Sequence, residues 1–287
     1  MTRVMGILNT TPDSFSDGGL WANPGQALER ALTMVGEGAD IIDVGGESTR
    51  PGADPVSTQQ ELDRVIPVIE AIVAETGVTV SVDTSKPEVM EAAVTAGAQM
   101  INDVLALRQD GALASAARLA VPVCLMHMQG RPRDMQVQPL YGDVVGEVEA
   151  FLLERARACE DAGIDRAHIL IDPGFGFGKN LEHNIELFRA LPRFCGSDYR
   201  VLVGVSRKSM LGTLTGRPVA DRRAASVAAA LLAAVHGAAV VRVHDVAQTV
   251  DALKVLRALD GEAAVRDADA RAAERPAPLE TAPHSNG

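Results

Sequence analysis

VTVSVDTSKPEVMEAAVTAG, residues 78–97, holds the repeating unit of this chain. A short apolar run ends in a carboxylate at Asp83, a proline at Pro87 opens a stretch with helical spacing, and Gly97 stops it. Proline suits the first helical turn, where its missing N–H has no partner to lose, and glycine suits the stop because it accepts a left-handed backbone. The same order recurs in both directions: VMGILN to Asn9, IIDVGG after Asp40, MIND to Asp103, PVCLMHM to Met128, HILIDPG around Asp172, VLVGVSRK to Lys208 and VVRVHD to Asp245. Between these runs, helical patterns span Pro24 to Gly38, Ser57 onward (STQQELDRVIPVIEAIVAE), Gly111 to Ala120, Tyr141 to Gly163, Leu181 to Leu191, Asp221 to Gly237 and Ala247 to Asp260. Alternation of this kind builds right-handed βα units, and eight of them predict an eight-stranded parallel (β/α)8 TIM barrel. Each run delivers a polar or charged residue at its carboxyl end, the face where such barrels build their sites.

The 287 residues, 47% of them hydrophobic, suffice for one large core, so a single domain over residues 1–260 is expected. Beyond Asp260 the composition turns to Ala, Arg, Asp, Glu and Pro without apolar periodicity, and residues 261–287 read as a disordered tail without chemistry. A net charge of -11 argues against nucleic acid or an anionic membrane as partner. Cys124, Cys159 and Cys195 lack metal-type or redox-type spacing and read as reduced thiols of a cytoplasmic protein. The first strand begins within three residues of Met1, which leaves no room for a signal sequence. The Ala-rich stretch from Ala224 to Val241 contains His236 and Gly237 and reads as the seventh helix leading into the eighth strand rather than a membrane span. Long connections at Thr10–Asn23, Arg50–Val56, Gln129–Leu140 and Ser209–Asp221 are candidate lids.

Two motifs invite a chemical reading. DPGFGFGKN (172–180) is not a phosphate loop, because Asn180 rather than Ser or Thr follows Lys179, and its glycine spacing also misses the dinucleotide fingerprint. It reads instead as a tight backbone beside a flat ligand, or simply as a sharp loop. Arg242 and His244 stand two apart on an extended run, so both side chains face one way and can converge on one anion. The other reading of that pair is a salt bridge for Arg242 and a packed polar network for His244. No Ser/His/Asp or Cys/His nucleophile arrangement is legible.

ILNTTPDSFSDGG, DVGGESTRPGA, VSVDTSKP, INDV, LMHMQG, IDPGFGFGKN, GVSRKSMLG and VRVHDV, in that order, resemble the dihydropteroate synthase family from Val4 to about Asp260. The resemblance implies condensation of (7,8-dihydropterin-6-yl)methyl diphosphate with 4-aminobenzoate, with Mg2+ as cofactor and a homodimer as assembly. It implies that Asp83, Asn102, Asp172 and Lys208 contact the pterin and that Met126 and Phe177 pack against its faces. A carboxylate suits a pterin because its two oxygens match the ring's adjacent N–H and exocyclic amine. Asp172 is the leading reader of that edge; the alternative is an ordinary turn aspartate. Asn9 would ligate Mg2+ together with diphosphate oxygens, a role for a neutral oxygen on a metal that keeps waters. Thr49, Arg242 and His244 would meet the diphosphate, and Arg50, Pro51 and Ser206 the aminobenzoate, with Asn9, Arg50, Lys208, Arg242 and His244 serving catalysis. Asp43 would support Asp83 or the pterin edge. On this reading loss of Arg242 spares free pterin, and sulfonamides compete with 4-aminobenzoate. Many members carry an extra amino-terminal strand or hairpin under the barrel, which this sequence does not show before Val4. Two other readings remain at this stage: a pterin barrel that hands methyl groups to a corrinoid protein, and a non-catalytic pterin-binding paralogue.

Overall fold

The computed structural model describes residues 1–11, 24–48, 52–130, 135 and 139–259. Eight parallel strands close on themselves in chain order: β1 (Arg3–Asn9), β2 (Ile41–Gly45), β3 (Thr79–Asp83), β4 (Met100–Asp103), β5 (Val123–Met126), β6 (Ile169–Asp172), β7 (Arg200–Val203) and β8 (Val240–Val243). Closure is made by β1 on β8, with Met5 opposite Arg242. Around them lie α1 (Pro24–Gly36), α2 (Thr58–Glu75), α3 (Pro87–Thr95), α4 (Ala112–Leu119), α5 (Val144–Asp161), α6 (Leu181–Arg189), α7 (Leu191–Cys195), α8 (Ser209–Thr215), α9 (Arg223–Val235) and α10 (Val246–Leu259). The predicted barrel is the observed one.

Local chemistry sets the helix starts. Ser57 caps α2 in a reciprocal pair with Gln60, Pro87 opens α3, and Asn180 caps α6 through the His183 N–H. The larger core lies between the sheet and the helices, whereas Met5, Ile41, Met100, Cys124, Leu170, Leu202 and Val240 form a separate apolar plug of inward-facing residues. Strand side chains alternate with period two, so the residue two places beyond each plug residue points inward as well, one layer nearer the carboxyl mouth. On β2, β4, β5, β6 and β8 those residues are Asp43, Asn102, Met126, Asp172 and Arg242.

Several boundaries differ from the sequence reading. β5, β7 and β8 stop at Met126, Val203 and Val243, so Ser206, Lys208 and His244 stand on loops rather than on strand ends. The predicted Leu181–Leu191 helix is followed by a second short helix, α7, and the connection Ser209–Asp221 contains α8 and a 3-10 turn over Val219–Asp221. Glycine at 212 disfavours a helix on propensity. Here it is needed, because a Cβ would collide with the Arg222 guanidinium, which crosses α8 to reach the carbonyls of Arg207 and Arg217. All three cysteines are buried and free. Among the described residues, no helix is long and apolar enough to cross a membrane.

Candidate active site

The inward layer above the plug is charged and buried. Asp43, fully buried, takes the Arg242 Nε–H at 2.6 Å and the Asn102 amide at 3.1 Å on the same oxygen, Oδ2. Arg242 also donates from Nη2 to Asp83 Oδ2 at 2.8 Å. One guanidinium on β8 therefore ties β2 to β3, and Asp43 extends the tie to β4. Asp43 supports Arg242 and Asn102 directly and Asp83 only through the shared arginine. Burial pushes the Asp83 carboxyl up to about 7, against the pull of Arg242 and with help from the negative charge of Asp43, Glu61 and Asp103. Arg242 is accordingly not a free cation: its Nε and Nη2 are engaged, and Nη1 remains for an anion.

Across the mouth, Asp172 ends β6 with 5% exposure. The chain turns at Pro173, and the Gly174 N–H returns to Asp172 Oδ1 at 2.8 Å. Glycine is required there: φ is +69°, and a Cβ would collide with the His127 carbonyl. Burial raises the Asp172 carboxyl above its ordinary value despite Lys208, the Gly174 N–H, Lys179 and Arg242, all of which oppose the rise. Lys208 leads into α8, sends its ammonium to the Phe175 carbonyl, and lies over the Phe177 ring at 4.4 Å. Burial lowers it to about 8, opposed chiefly by Asp172. Met126 and Phe177 share a small apolar cluster with Met128, Met135, Val104 and Leu105 at this end of the barrel.

A third group sits on the β7 and β8 loops. Ser206 Oγ accepts the His244 N–H at 3.1 Å and lies 3.0 Å from His244 Nδ1. Arg207 adopts φ +58°, a left-handed backbone costing roughly 1–2 kcal/mol in a non-glycine residue. That turn swings its guanidinium onto Asp245, with contacts of 2.6 and 3.1 Å, while Ser206 and Lys208 flank it. Arg242 is thus bonded to Asp43 and Asp83, and His244 to Ser206. At the end of β1, a Cβ on Gly45 would lie 3.7 Å from Asn9 Oδ1 and 3.6 Å from Asp83 Oδ2, so both oxygens border one small space that glycine leaves open. Thr49, Arg50 and Pro51 lie outside the described residues.

Sequence reasoning missed two ionic clusters. Lys86 joins Glu47 and the fully buried Glu61, and Glu47 also accepts the Val56 N–H at 3.4 Å, so one carboxylate closes the neck of the second loop. The buried Lys179 is enclosed by its own glycine loop. The Lys86 partners are remote in sequence, and Lys179 is buried by the backbone carbonyls of its own loop together with the remote His127, which no side-chain pattern announces. Asp103, read only as the end of a run, faces away from the site: it takes the N–H groups of Leu105 and Leu107 at 2.8 and 2.7 Å and the Ser85 hydroxyl.

A barrel mouth with buried carboxylates on one side, a sulfur and an aromatic ring on the other, and amines between them suits a flat, nitrogen-rich ring. The family model described as pterin binding enzyme matches residues 5–244, which places the chain among pterin-binding barrels. Dihydropteroate synthase of Escherichia coli (strain K12) is 52% identical over 256 residues, 89% of this chain and 91% of the relative. The Xanthomonas albilineans dihydropteroate synthase structure with 4-aminobenzoic acid superposes with a TM-score of 0.86 at 58% identity, covering 91% of this chain and 93% of that one. A Xanthomonas albilineans structure in complex with 7,8-dihydropteroate gives a TM-score of 0.82 at 54% identity, over 91% and 94% of the two chains. The chain belongs to the dihydropteroate synthase family, transferases that condense (7,8-dihydropterin-6-yl)methyl diphosphate with 4-aminobenzoate to 7,8-dihydropteroate and pyrophosphate in folate biosynthesis.

Proposed function

We propose that this mouth carries out that condensation with the following division of labour. Asp172 reads the pterin edge, with Oδ1 fixed by the Gly174 N–H and Oδ2 left to the ligand. Asp83 and Asn102, opposite one another on β3 and β4, read further ring nitrogens. Met126 and Phe177 pack against the ring faces, and Lys208 covers Phe177. The observation that carries the reading is the convergence of Asp172, at the end of β6, Phe177, on the loop that follows, and Lys208, on the loop after β7.

The diphosphate leaves on the side of Asn9, Thr49, Arg242 and His244. Arg242 can meet it through Nη1 without releasing Asp43 or Asp83. Asn9 offers one neutral oxygen beside the space at Gly45, and among the described residues no three His, Cys, Asp or Glu side chains converge as a metal cluster. That donor set fits Mg2+ carried mainly by substrate oxygens and water. When bound, Mg2+ supplies positive charge to the departing diphosphate. The arylamine attacks as a neutral nucleophile and needs no strong base, so the protein's task is orientation and stabilisation of charge in an SN1-like loss of diphosphate. Ser206, Arg50 and Pro51 form the aminobenzoate side.

Residues 1–260 are the pterin-binding unit, acting in the cytoplasm. The assembly is a homodimer through the helices that expose Leu214, Leu232, Val235 and Val255 on adjoining α8, α9 and α10, with Val219 on the turn between α8 and α9. The decisive test incubates purified protein with the pterin diphosphate, 4-aminobenzoate and Mg2+ and follows pyrophosphate and dihydropteroate. Absence of both products from folded protein refutes the reading.

A further inference from the structure

Lys179 is 2% exposed, in a glycine loop that is itself largely buried, and sits outside the set of groups used above. Its ammonium lies 2.9 Å from the Gly174 carbonyl, 3.0 Å from the Phe177 carbonyl and 2.9 Å from His127 Nδ1. With the His127 carbonyl at 3.4 Å as a fourth, more distant acceptor, the full donor capacity of an ammonium is used. His127 can accept because its ring is neutral: burial and the neighbouring Lys179 charge lower it to about 3, and Phe151 packs edge-on at 5.0 Å. The loop is wound around this ion. Gly174, Gly176 and Gly178 all have positive φ, and a Cβ at Gly178 would collide with the Gln129 carbonyl, so the backbone closes tightly on the β5 loop. Outside the ring of carbonyls, Asn184 holds the Gly176 N–H at 2.7 Å and the Tyr141 hydroxyl holds the Gly178 carbonyl at 2.9 Å.

Two of the atoms gripped by Lys179 belong to the pterin site. The Phe177 carbonyl fixes the backbone that carries the ring under Lys208. The Gly174 carbonyl belongs to the residue whose N–H fixes Asp172 Oδ1. Resting on the pterin-binding reading above, we propose that Lys179 is a positioning residue, which by holding the Gly174 and Phe177 carbonyls sets the placement of Phe177 and of the Gly174 N–H that fixes Asp172. It does not touch substrate. The charged groups facing Asp172 are Lys208, Lys179 and Arg242, with the Cys124 thiol beside them; burial lowers Lys179 well below its ordinary value, Asp172 opposes that fall and Lys208 adds to it, with neutral His127 alongside.

The test titrates 6-hydroxymethyl-7,8-dihydropterin into wild type, Lys179→Met and Lys179→Gln across pH, with thermal unfolding and steady-state KM for both substrates alongside. Methionine keeps the stem and removes charge and donors; glutamine keeps donors for the carbonyls and removes the charge. Pterin affinity at neutral pH falls by about tenfold or more in Lys179→Met and less in Lys179→Gln. In both variants the acid limb of pterin binding moves up by about half a pH unit or more, because the Gly174 N–H that favours ionised Asp172 is no longer held in place. The KM for 4-aminobenzoate stays near the wild-type value. Folded variants with wild-type pterin affinity and an unmoved acid limb overturn the inference, as does a loss confined to 4-aminobenzoate. Two variants that fail to fold also overturn it, since Lys179 would then be a requirement of the barrel rather than of the site. Wild-type protein that does not bind the pterin refutes the functional reading itself, and this inference with it, whereas normal wild-type binding beside unchanged variants refutes the inference alone.

Discussion

Asp172→Asn should move binding and stability in opposite directions. The carboxylate spends Oδ1 on the Gly174 N–H and keeps Oδ2 for the ligand. An asparagine can keep the first bond with its carbonyl oxygen, so the turn at Pro173 survives, but its NH2 then faces ligand donors with another donor. Loss of a hydrogen bond to a charged acceptor costs about 1.5–3 kcal/mol, so pterin affinity should fall on the order of ten- to hundredfold. The stability sign follows from the raised carboxyl. A group whose folded value lies above its unfolded value contributes stability that is complete below the unfolded value and is lost as pH rises through the folded one. That raised position already includes the attraction of Lys208, Lys179 and Arg242, so at neutral pH the ionised Asp172 is a net cost to the empty protein. Asparagine removes that cost, and the unliganded variant should melt no lower than wild type. Calorimetric titration with the pterin and thermal unfolding without it measure the two quantities. A variant that binds within about threefold of wild type, a difference under about 1 kcal/mol, refutes Asp172 as the ring reader. A variant that loses binding and several degrees of Tm refutes the sign argument, because the carboxylate would then be holding the fold.

Arg242→Ala should lose the free pterin as well as the diphosphate form and destabilise the fold by about 3–5 kcal/mol, because it leaves Asp43 and Asp83 without their shared partner; denaturant unfolding checks this, and a selective loss of diphosphate binding at unchanged stability would restore the simpler expectation from sequence. Asp83, raised to about 7, gives stability that is complete below its unfolded value near 3.8 and fades as pH rises to about 7, so wild type should lose Tm relative to Asp83→Asn over that window and run parallel above it. Parallel curves throughout would show that the carboxyl is ionised at low pH. Metal affinity should rise with substrate, since Asn9 alone cannot hold the ion; stoichiometric Mg2+ binding by the free protein in equilibrium dialysis, or full turnover in excess chelator, contradicts that. Sulfonamides should raise the apparent KM for 4-aminobenzoate without changing kcat, and a purely noncompetitive pattern would place them elsewhere.

The barrel was legible because each unit carries its own punctuation, and so was the inner layer. Period two puts Asp43, Asn102, Met126, Asp172 and Arg242 on the same face as an apolar residue two places earlier, which makes them inward-facing from sequence alone. Who meets whom was not legible. Arg242 reaches Asp43 and Asp83 across 199 and 159 residues, a pairing fixed by closure of β1 on β8 and by the tilt of the strands, neither of which a local pattern encodes. β8 ends at Val243, so the direction of the His244 side chain is set by the following loop and its contact with Ser206 rather than by the alternation of a strand. α8 escaped notice because Gly212 reads as a breaker, while its actual reason is the passage of Arg222. Lys179 escaped because a lysine after three glycines looks solvated; it is buried by two carbonyls of its own tightly wound loop together with His127.

The charged groups of the mouth lean toward neutrality on both sides. Asp83 and Asp172 are raised and Lys208 is lowered, and in each case burial is the largest cause. Such groups are poor stabilisers of the fold, since a charge withdrawn from water is repaid only where partners saturate it. Here they are left partly unsaturated: Asp172 keeps an oxygen for a ligand, and Arg242 serves two carboxylates with part of its fork. On the proposed reading, a ring that brings N–H donors to Asp172 and Asp83 would complete those shells, and an anion at Arg242 Nη1 would complete the guanidinium. The energy withheld from the unliganded protein is thus available to binding, and a neutral nucleophile can enter without a base competing for the same carboxylates. The apolar plug of Met5, Ile41, Met100, Cys124, Leu170, Leu202 and Val240 makes this arrangement durable, because it closes the barrel beneath the charges independently of whether they are paired.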